Sequence, residues 1–187
     1  MEKTIYLAGP EVFLPDSQEI GHRKQALCRA AGLIGLYPGD NGPFDSNLTM
    51  AELSRVIFVT NLALMRRADI FLGNLTPFRG PGADAGTVWE LGFMAGLGKP
   101  VYGYSNSAAS LLTRTRAFDP ASRRDAESGH WLDSRGLVIE DFDGGDNLMI
   151  VESLELFGGR LVTPTHPPVD PDRDLDAFAA CLRMIAA

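Results

Sequence analysis

The chain has 187 residues, 45% of them hydrophobic and 22% charged, which is globular composition and excludes a disordered chain. With 17 Lys and Arg against 24 Asp and Glu, the formal net charge is −7, an acidic balance that disfavours a nucleic-acid polymer or an anionic membrane as partner. The apolar stretches are too short for a membrane span, and the opening MEKTIYLAGP, with Glu2 and a short apolar run, does not have the pattern of a secretory signal.

Short β-rich runs alternate with helical patterns. Residues 4–8 predict a strand, and 16–31 a helix with Ile20, Leu27, Cys28 and Ala31 on one face. Residues 33–37 predict the second strand. A helix follows over 50–67, with the stripe Met50, Leu53, Ile57, Leu64 and the capping-box pattern Thr49-x-x-Glu52. Residues 69–73 read as the third strand, 87–97 as a helix, 100–104 as the fourth strand, 147–157 as a helix, 160–163 as a short strand and 175–186 as a last helix. Such alternation predicts one domain over 1–187: a flavodoxin-like, doubly wound, five-stranded parallel α/β sheet with helices on both faces. The stretch from about 105 to 146 is too long for an ordinary connection, so it is expected either to serve the site, to reach a neighbouring subunit or to be a surface loop. Cys28 and Cys181 lie in helical patterns without metal-ligand spacing and read as core thiols of a reducing, cytoplasmic compartment. His22, His130 and His166 are scattered and read as surface or packing residues.

Open parallel sheets bind ligands beyond the carboxyl ends of their strands. Here the first strand runs into Gly9-Pro10-Glu11-Val12-Phe13, the third into Asn74-Leu75-Thr76-Pro77-Phe78-Arg79-Gly80-Pro81-Gly82, and the fourth into Ser105-Asn106. No loop carries a nucleoside-triphosphate or dinucleotide fingerprint. The helix TVWELGFMAGL is apolar nearly all round and is expected to be buried, with Glu90 as its sole charged side chain. A buried carboxylate needs a partner or a task. Thr87-x-x-Glu90 also fits a capping box, Asp84 fits a turn or N-cap residue, and Asp69 fits a helix-to-strand turn. Three carboxylates (Asp69, Asp84, Glu90) without ligating histidines suggest glycosidic-bond chemistry rather than a metal centre.

At these residues the sequence resembles the nucleoside 2′-deoxyribosyltransferase family. The resemblance rests on Ile5-Tyr6-Leu7-Ala8-Gly9-Pro10 with Phe13, on Asp69 with Leu75-Thr76-Pro77-Phe78-Arg79-Gly80, on Asp84-Ala85-Gly86-Thr87-Val88-Trp89-Glu90-Leu91-Gly92, and on Asn147-Leu148-Met149. It implies a cofactor-independent double displacement between a 2′-deoxynucleoside and a free nucleobase. Glu90 matches the nucleophile that attacks C1′, Tyr6 the tyrosine that orients it, and Asp69 the residue for base contact and proton donation. Asp84 matches a residue near the sugar hydroxyl and base, Phe13 packs against the nucleoside, and Gly9 leaves room for the sugar. Asn147 and Met149 match residues that an adjacent subunit of a homo-oligomer supplies. From the residues alone, Tyr6 and Phe13 also read as ordinary packing aromatics, and Asn147 as a helix N-cap. Some family members end in a tyrosine that lines the pocket; this chain ends Met184-Ile185-Ala186-Ala187, so that contact does not carry over. A related 2′-deoxynucleoside 5′-phosphate N-glycosidase and a non-catalytic nucleoside or nucleotide sensor are the alternatives.

Overall fold

Successive side chains of a strand face opposite ways, and that alternation divides the core of this protein in two. The computed structural model describes residues 2–40, 42 and 44–186; the terminal Ala187 lies outside the described residues. In chain order the elements are β1 (Thr4–Ala8), α1 (Ser17–Ala30), β2 (Ile34–Leu36), α2 (Met50–Arg67), β3 (Ile70–Asn74), α3 (Ala85–Gly96), β4 (Val101–Tyr104), α4 (Leu111–Phe118), β5 (Arg123–Arg124), β6 (Trp131–Leu132), α5 (Leu148–Phe157), β7 (Gly158–Val162) and α6 (Asp176–Ala186). Two 3-10 turns, Pro10–Phe13 and Pro38–Asp40, follow β1 and β2. The main sheet is parallel throughout, in the order β2-β1-β3-β4-β7, which is the doubly wound flavodoxin-like order expected from the sequence.

Ile5 and Leu7 of β1 and Ile70 and Leu72 of β3 face one way, against Cys28 of α1 and Phe178, Cys181 and Leu182 of α6. Tyr6, Ala8 and Phe71 face the other way, against Met65 of α2, Leu91, Met94 and Ala95 of α3, and Ile150 and Leu154 of α5. Both cysteines are free and fully buried, as core thiols should be, and burial pushes them up to about 11 and about 12.

Three segments differ from the simplest picture of their sequence pattern. The stripe of α2 does not face the core along its length. Met50 is 80% exposed and Phe58 and Val59 are exposed, while Met65 in the last turns is buried. Only the C-terminal turns of the helix pack on the core, and its Thr49–Glu52 capping box, which does form, fixes an end that tertiary packing does not hold. The α3 helix is likewise buried on one side only. Thr87, Leu91, Met94 and Ala95 are covered, whereas Trp89 and Leu97 are open, and the Trp89 ring stacks on Phe93 and leans on Phe58 of α2. Finally, the 105–146 stretch holds structure of its own: α4 and a small antiparallel pair, β5 with β6. The Arg116 guanidinium lies 3.7 Å from the centre of the Trp131 ring, joining that helix to that pair.

Candidate active site

Tyr6 points from the middle of β1 toward α3, and its hydroxyl donates a 2.6 Å hydrogen bond to Glu90 Oε1. What brings Glu90 there is the start of α3. Asp84 is the N-cap: its Oδ2 accepts from the Thr87 amide at 2.9 Å and from Thr87 Oγ1 at 3.0 Å. The Thr87–Glu90 capping box is therefore not formed, and Glu90 sits further along the helix with its carboxyl turned to the end of the sheet. Burial raises the Glu90 carboxyl to about 7, against the lowering effect of the Tyr6 bond and with a further push from Asp84. Tyr6 itself is fully buried, and burial together with the adjacent carboxylate drives its phenol well above the ordinary range. Tyr6 thus keeps its proton and donates its hydrogen bond to the Glu90 carboxylate.

Glu90 forms part of the wall of a cavity of about 420 Å³ at the carboxyl edge of β1 and β2. Gly9, Val12 and Phe13 come from the turn after β1, Pro38 and Gly39 from the turn after β2, Ile57 and Asn61 from α2, and Asp84, Gly86, Thr87 and Glu90 from the start of α3, with Phe44 completing the lining. Its two titratable lining groups are carboxyls, Asp84 and Glu90; among the described lining residues there is no Lys, Arg or His. Phe13 of this lining stacks on Phe78 with centroids 5.4 Å apart, and the Arg79 guanidinium lies 5.0 and 4.6 Å from those two rings; Phe78 and Arg79 themselves line a neighbouring cavity. Arg79 holds a positive φ of 55°, which is unusual for a residue with a side chain. Among the described residues, no group of three or more His, Cys, Asp or Glu is arranged to hold a metal ion.

The structure brings Tyr6, Gly9, Phe13, Asp84 and Glu90 together, and it separates Asp69 from them. Asp69 precedes β3, at the amino edge of the sheet, where its Oδ2 accepts from Thr4 N and Thr4 Oγ1, both at 2.8 Å. These bonds hold its carboxyl below the usual range. The length of β1, about 16 Å at roughly 3.3 Å per residue, lies between that position and the cavity. Asp69 closes the turn from α2 to β3 and is removed from the candidate site. The residue that actually ends β3 is Asn74, buried behind Gly9. Gly9 is needed there: a Cβ would lie 2.1 Å from Glu11 Oε2 and 2.7 Å from Asn74 Cβ, so the room it leaves is taken by those two side chains. Asn147 caps α5, its Oδ1 accepting from Met149 N at 3.0 Å and its Nδ2 donating to Glu140 at 2.6 Å. Met149 is 69% exposed, and neither residue lines the cavity of its own chain. Sequence reading missed Pro38, Gly39, Ile57 and Asn61 as lining residues. Pro38-Gly39 follows the end of β2 and was open to the same strand-end reasoning as the other loops; Asn61 gave no signal beyond a polar residue within a helix.

A buried tyrosine hydrogen-bonded to a carboxyl in the wall of a cavity of small-molecule size, at the strand ends of a doubly wound sheet, defines an α/β protein with a small-molecule pocket. The sequence profile described as Nucleoside 2-deoxyribosyltransferase matches residues 5–149, and the chain belongs to that family. An uncharacterized protein of Schizosaccharomyces pombe is 31% identical over 165 residues, covering 83% of this chain and 78% of that protein. The solved structure of a 2-desoxiribosyltransferase from Leishmania mexicana is similar over 97% of both chains, with 27% identity and a TM-score of 0.63. A conserved protein from Enterococcus faecalis shares the fold, at 20% identity and a TM-score of 0.55 over 88% of this chain and 92% of that one.

Proposed function

We propose that the protein transfers the 2-deoxyribosyl group between nucleobases by double displacement at Glu90. The observation that carries this reading is the 2.6 Å Tyr6–Glu90 bond at the wall of the cavity. In the first step Glu90 Oε2, the oxygen without the Tyr6 bond, attacks C1′. The C1′–N bond breaks, its electron pair leaves with the base, and a deoxyribosyl ester forms. The base takes up one proton; with Asp69 remote, Asp84 is the lining carboxyl left to relay it from solvent. A second base then attacks C1′, displaces Glu90 and gives up a proton, so the β configuration is retained. The carboxylate also stabilises the cationic character at C1′ in each transition state.

The same cavity argues against a 5′-phosphorylated substrate. Asp84 and Glu90 repel a phosphate dianion, and among the described lining residues there is no Lys, Arg or His to offset them. The deciding experiment incubates the protein with deoxyinosine or thymidine, with and without a second base, and chromatographs the products. A new deoxynucleoside only when the acceptor is present supports transfer. Free base released at the same rate without an acceptor, or turnover only of the 5′-monophosphate, supports the N-glycosidase instead.

Glu90 must be ionised to attack, so kcat/KM is expected to rise with pH through about 7. Tyr6→Phe removes a bond to the charged form, worth about 1.5–3 kcal/mol. The midpoint of that pH profile is expected to move upward, and exchange at neutral pH to fall by about one to two orders of magnitude, as a pH–rate series would register.

We further infer a homo-oligomer in which Asn147 and Met149 complete a neighbour's sugar pocket. Exposed Met149, Trp89, Phe58 and Val59 make the outer side of α2, α3 and α5 apolar, which supports a partner on that side. Two free, buried thiols fit a reducing compartment such as the cytoplasm. Among the described residues no helix is long and apolar enough to cross a membrane.

A further inference from the structure

The 3-10 turn Pro10–Phe13 is a thin wall. In front of it lies the cavity of about 420 Å³, to which it gives Val12 and Phe13. Behind it lies a second cavity of about 230 Å³, lined in part by Pro10, Glu11, Asn74 and Thr76. Each cavity leaves part of the turn unpacked, so the stack of Phe13 on Phe78 and Arg79 does not by itself set the position of the turn.

A buried polar chain does. Lys24 of α1 is fully buried, and its ammonium forms an ion pair with Glu11. It sits 5.4 and 5.2 Å from the ring centres of Tyr104 and Phe178. The other oxygen of Glu11, Oε2, accepts from Asn74 Nδ2 at 3.0 Å. Asn74 Oδ1 in turn accepts from Thr76 N at 3.0 Å and Thr76 Oγ1 at 2.6 Å. Thr76 Oγ1 accepts from Asn106 N at 2.9 Å, and Asn106 Nδ2 donates to the carbonyls of Pro171 and Asp174 at 2.7 and 3.0 Å. The chain links the ends of β1, β3 and β4 to the segment before α6. Nothing in the proposed reaction uses it. Buried ion pairs often add little net stability to a fold, because desolvation offsets much of the attraction; in some proteins they serve instead to hold one geometry.

We propose that Glu11 and Lys24 are positioning residues that fix the Pro10–Phe13 turn, and through Phe13 set the affinity of the cavity for its nucleoside. The proposal rests on the deoxyribosyl-transfer reading above for its ligand, but not for its geometry. The covalent step lies with Tyr6 and Glu90, on the opposite face of β1, so the two functions separate. In Lys24→Met the Glu11 carboxylate loses its counter-ion and is drawn to solvent, taking Phe13 with it. In Glu11→Ala the turn loses its links to Lys24 and Asn74, while Lys24, whose ammonium burial already weakens, sheds its proton without driving the fold apart.

The test is steady-state base exchange with deoxyinosine and a second base for the wild type, Lys24→Met, Glu11→Ala, Phe13→Ala and the Glu11→Ala/Phe13→Ala double variant, joined to a crystal structure of Glu11→Ala. Either single change at the pair is expected to raise KM by about tenfold or more, with kcat within about threefold. In the Phe13→Ala background, Glu11→Ala is expected to add almost nothing, because the ring through which it acts is gone. The crystal structure is expected to have Phe13 displaced and the Tyr6–Glu90 bond intact. An unchanged KM in a folded variant, equal losses in kcat and KM, full additivity with Phe13→Ala, or Phe13 in its original place would each overturn the proposal. If Lys24→Met does not fold, Glu11→Ala decides. If the wild type performs no exchange, the functional reading fails, and the position of Phe13 in the crystal structure alone decides the positioning role.

Discussion

Glu90→Ala is expected to lower base exchange by about four orders of magnitude or more, because the reaction loses the atom that forms the covalent bond. The remaining cavity still binds, so KM is expected to change far less than kcat. Intact-mass measurement gives the sharper form of the test. Wild-type protein mixed with a deoxynucleoside and no acceptor base is expected to carry a deoxyribosyl adduct, and Glu90→Gln none. The amide of Glu90→Gln keeps an acceptor for Tyr6 and nearly the same volume, so the loss cannot be assigned to a collapsed cavity. A non-catalytic sensor predicts the opposite pattern: binding retained in Glu90→Ala, with no exchange in the wild type to lose. An adduct that persists in Glu90→Gln would move the nucleophile elsewhere, and Asp84 is the other carboxyl in reach of the cavity.

The sheet was legible in the sequence because strand alternation and helix periodicity are local signals, and the order β2-β1-β3-β4-β7 follows from right-handed crossovers. Glu90 was legible for a physical reason: a single charged residue in an apolar helix has to be held by something. What holds it, Tyr6, lies far away in the chain, and only the resemblance pointed there. The Thr87–Glu90 spacing fitted a capping box as well as a functional carboxyl, and the box does not form because Asp84 had already taken the N-cap position. Asp69 shows the limit of matching a motif without its edge. The strand-end rule favours the residue that leaves β3, which is Asn74, and Asp69 enters the strand from the other side. Lys24 was invisible for the opposite reason to Glu90: it lies on the buried face of α1 among residues that periodicity assigned to the core, and its partner Glu11 belongs to a turn whose conformation has no local signature. The outward face of α3 was read as buried because an apolar pattern reports an apolar surface and not what covers it.

The second large effect concerns stability. Above neutral pH, Glu90→Gln is expected to be more stable than the wild type, and near pH 4.5 the two are expected to be equal. The Glu90 carboxyl titrates at about 7 in the folded protein, raised by burial from an ordinary value of 4.5. Between those two values the unfolded chain has lost the proton that the folded chain still holds. Each pH step upward in that window therefore favours unfolding, and above about 7 the full cost is present. At 1.36 kcal/mol per pKa unit the cost reaches about 3 kcal/mol. Gln is neutral at every pH and escapes it. Urea titrations of both proteins across this range check the sign and the window. A stability gain that is the same at all pH values would mean that the substitution improves packing, and that the folded protein does not hold Glu90 in its protonated form. A gain that grows from about pH 4.5 to about 7 and then levels, together with loss of base exchange, would mean that the ionised carboxylate the reaction needs is the form the fold resists, with Tyr6 recovering part of the difference.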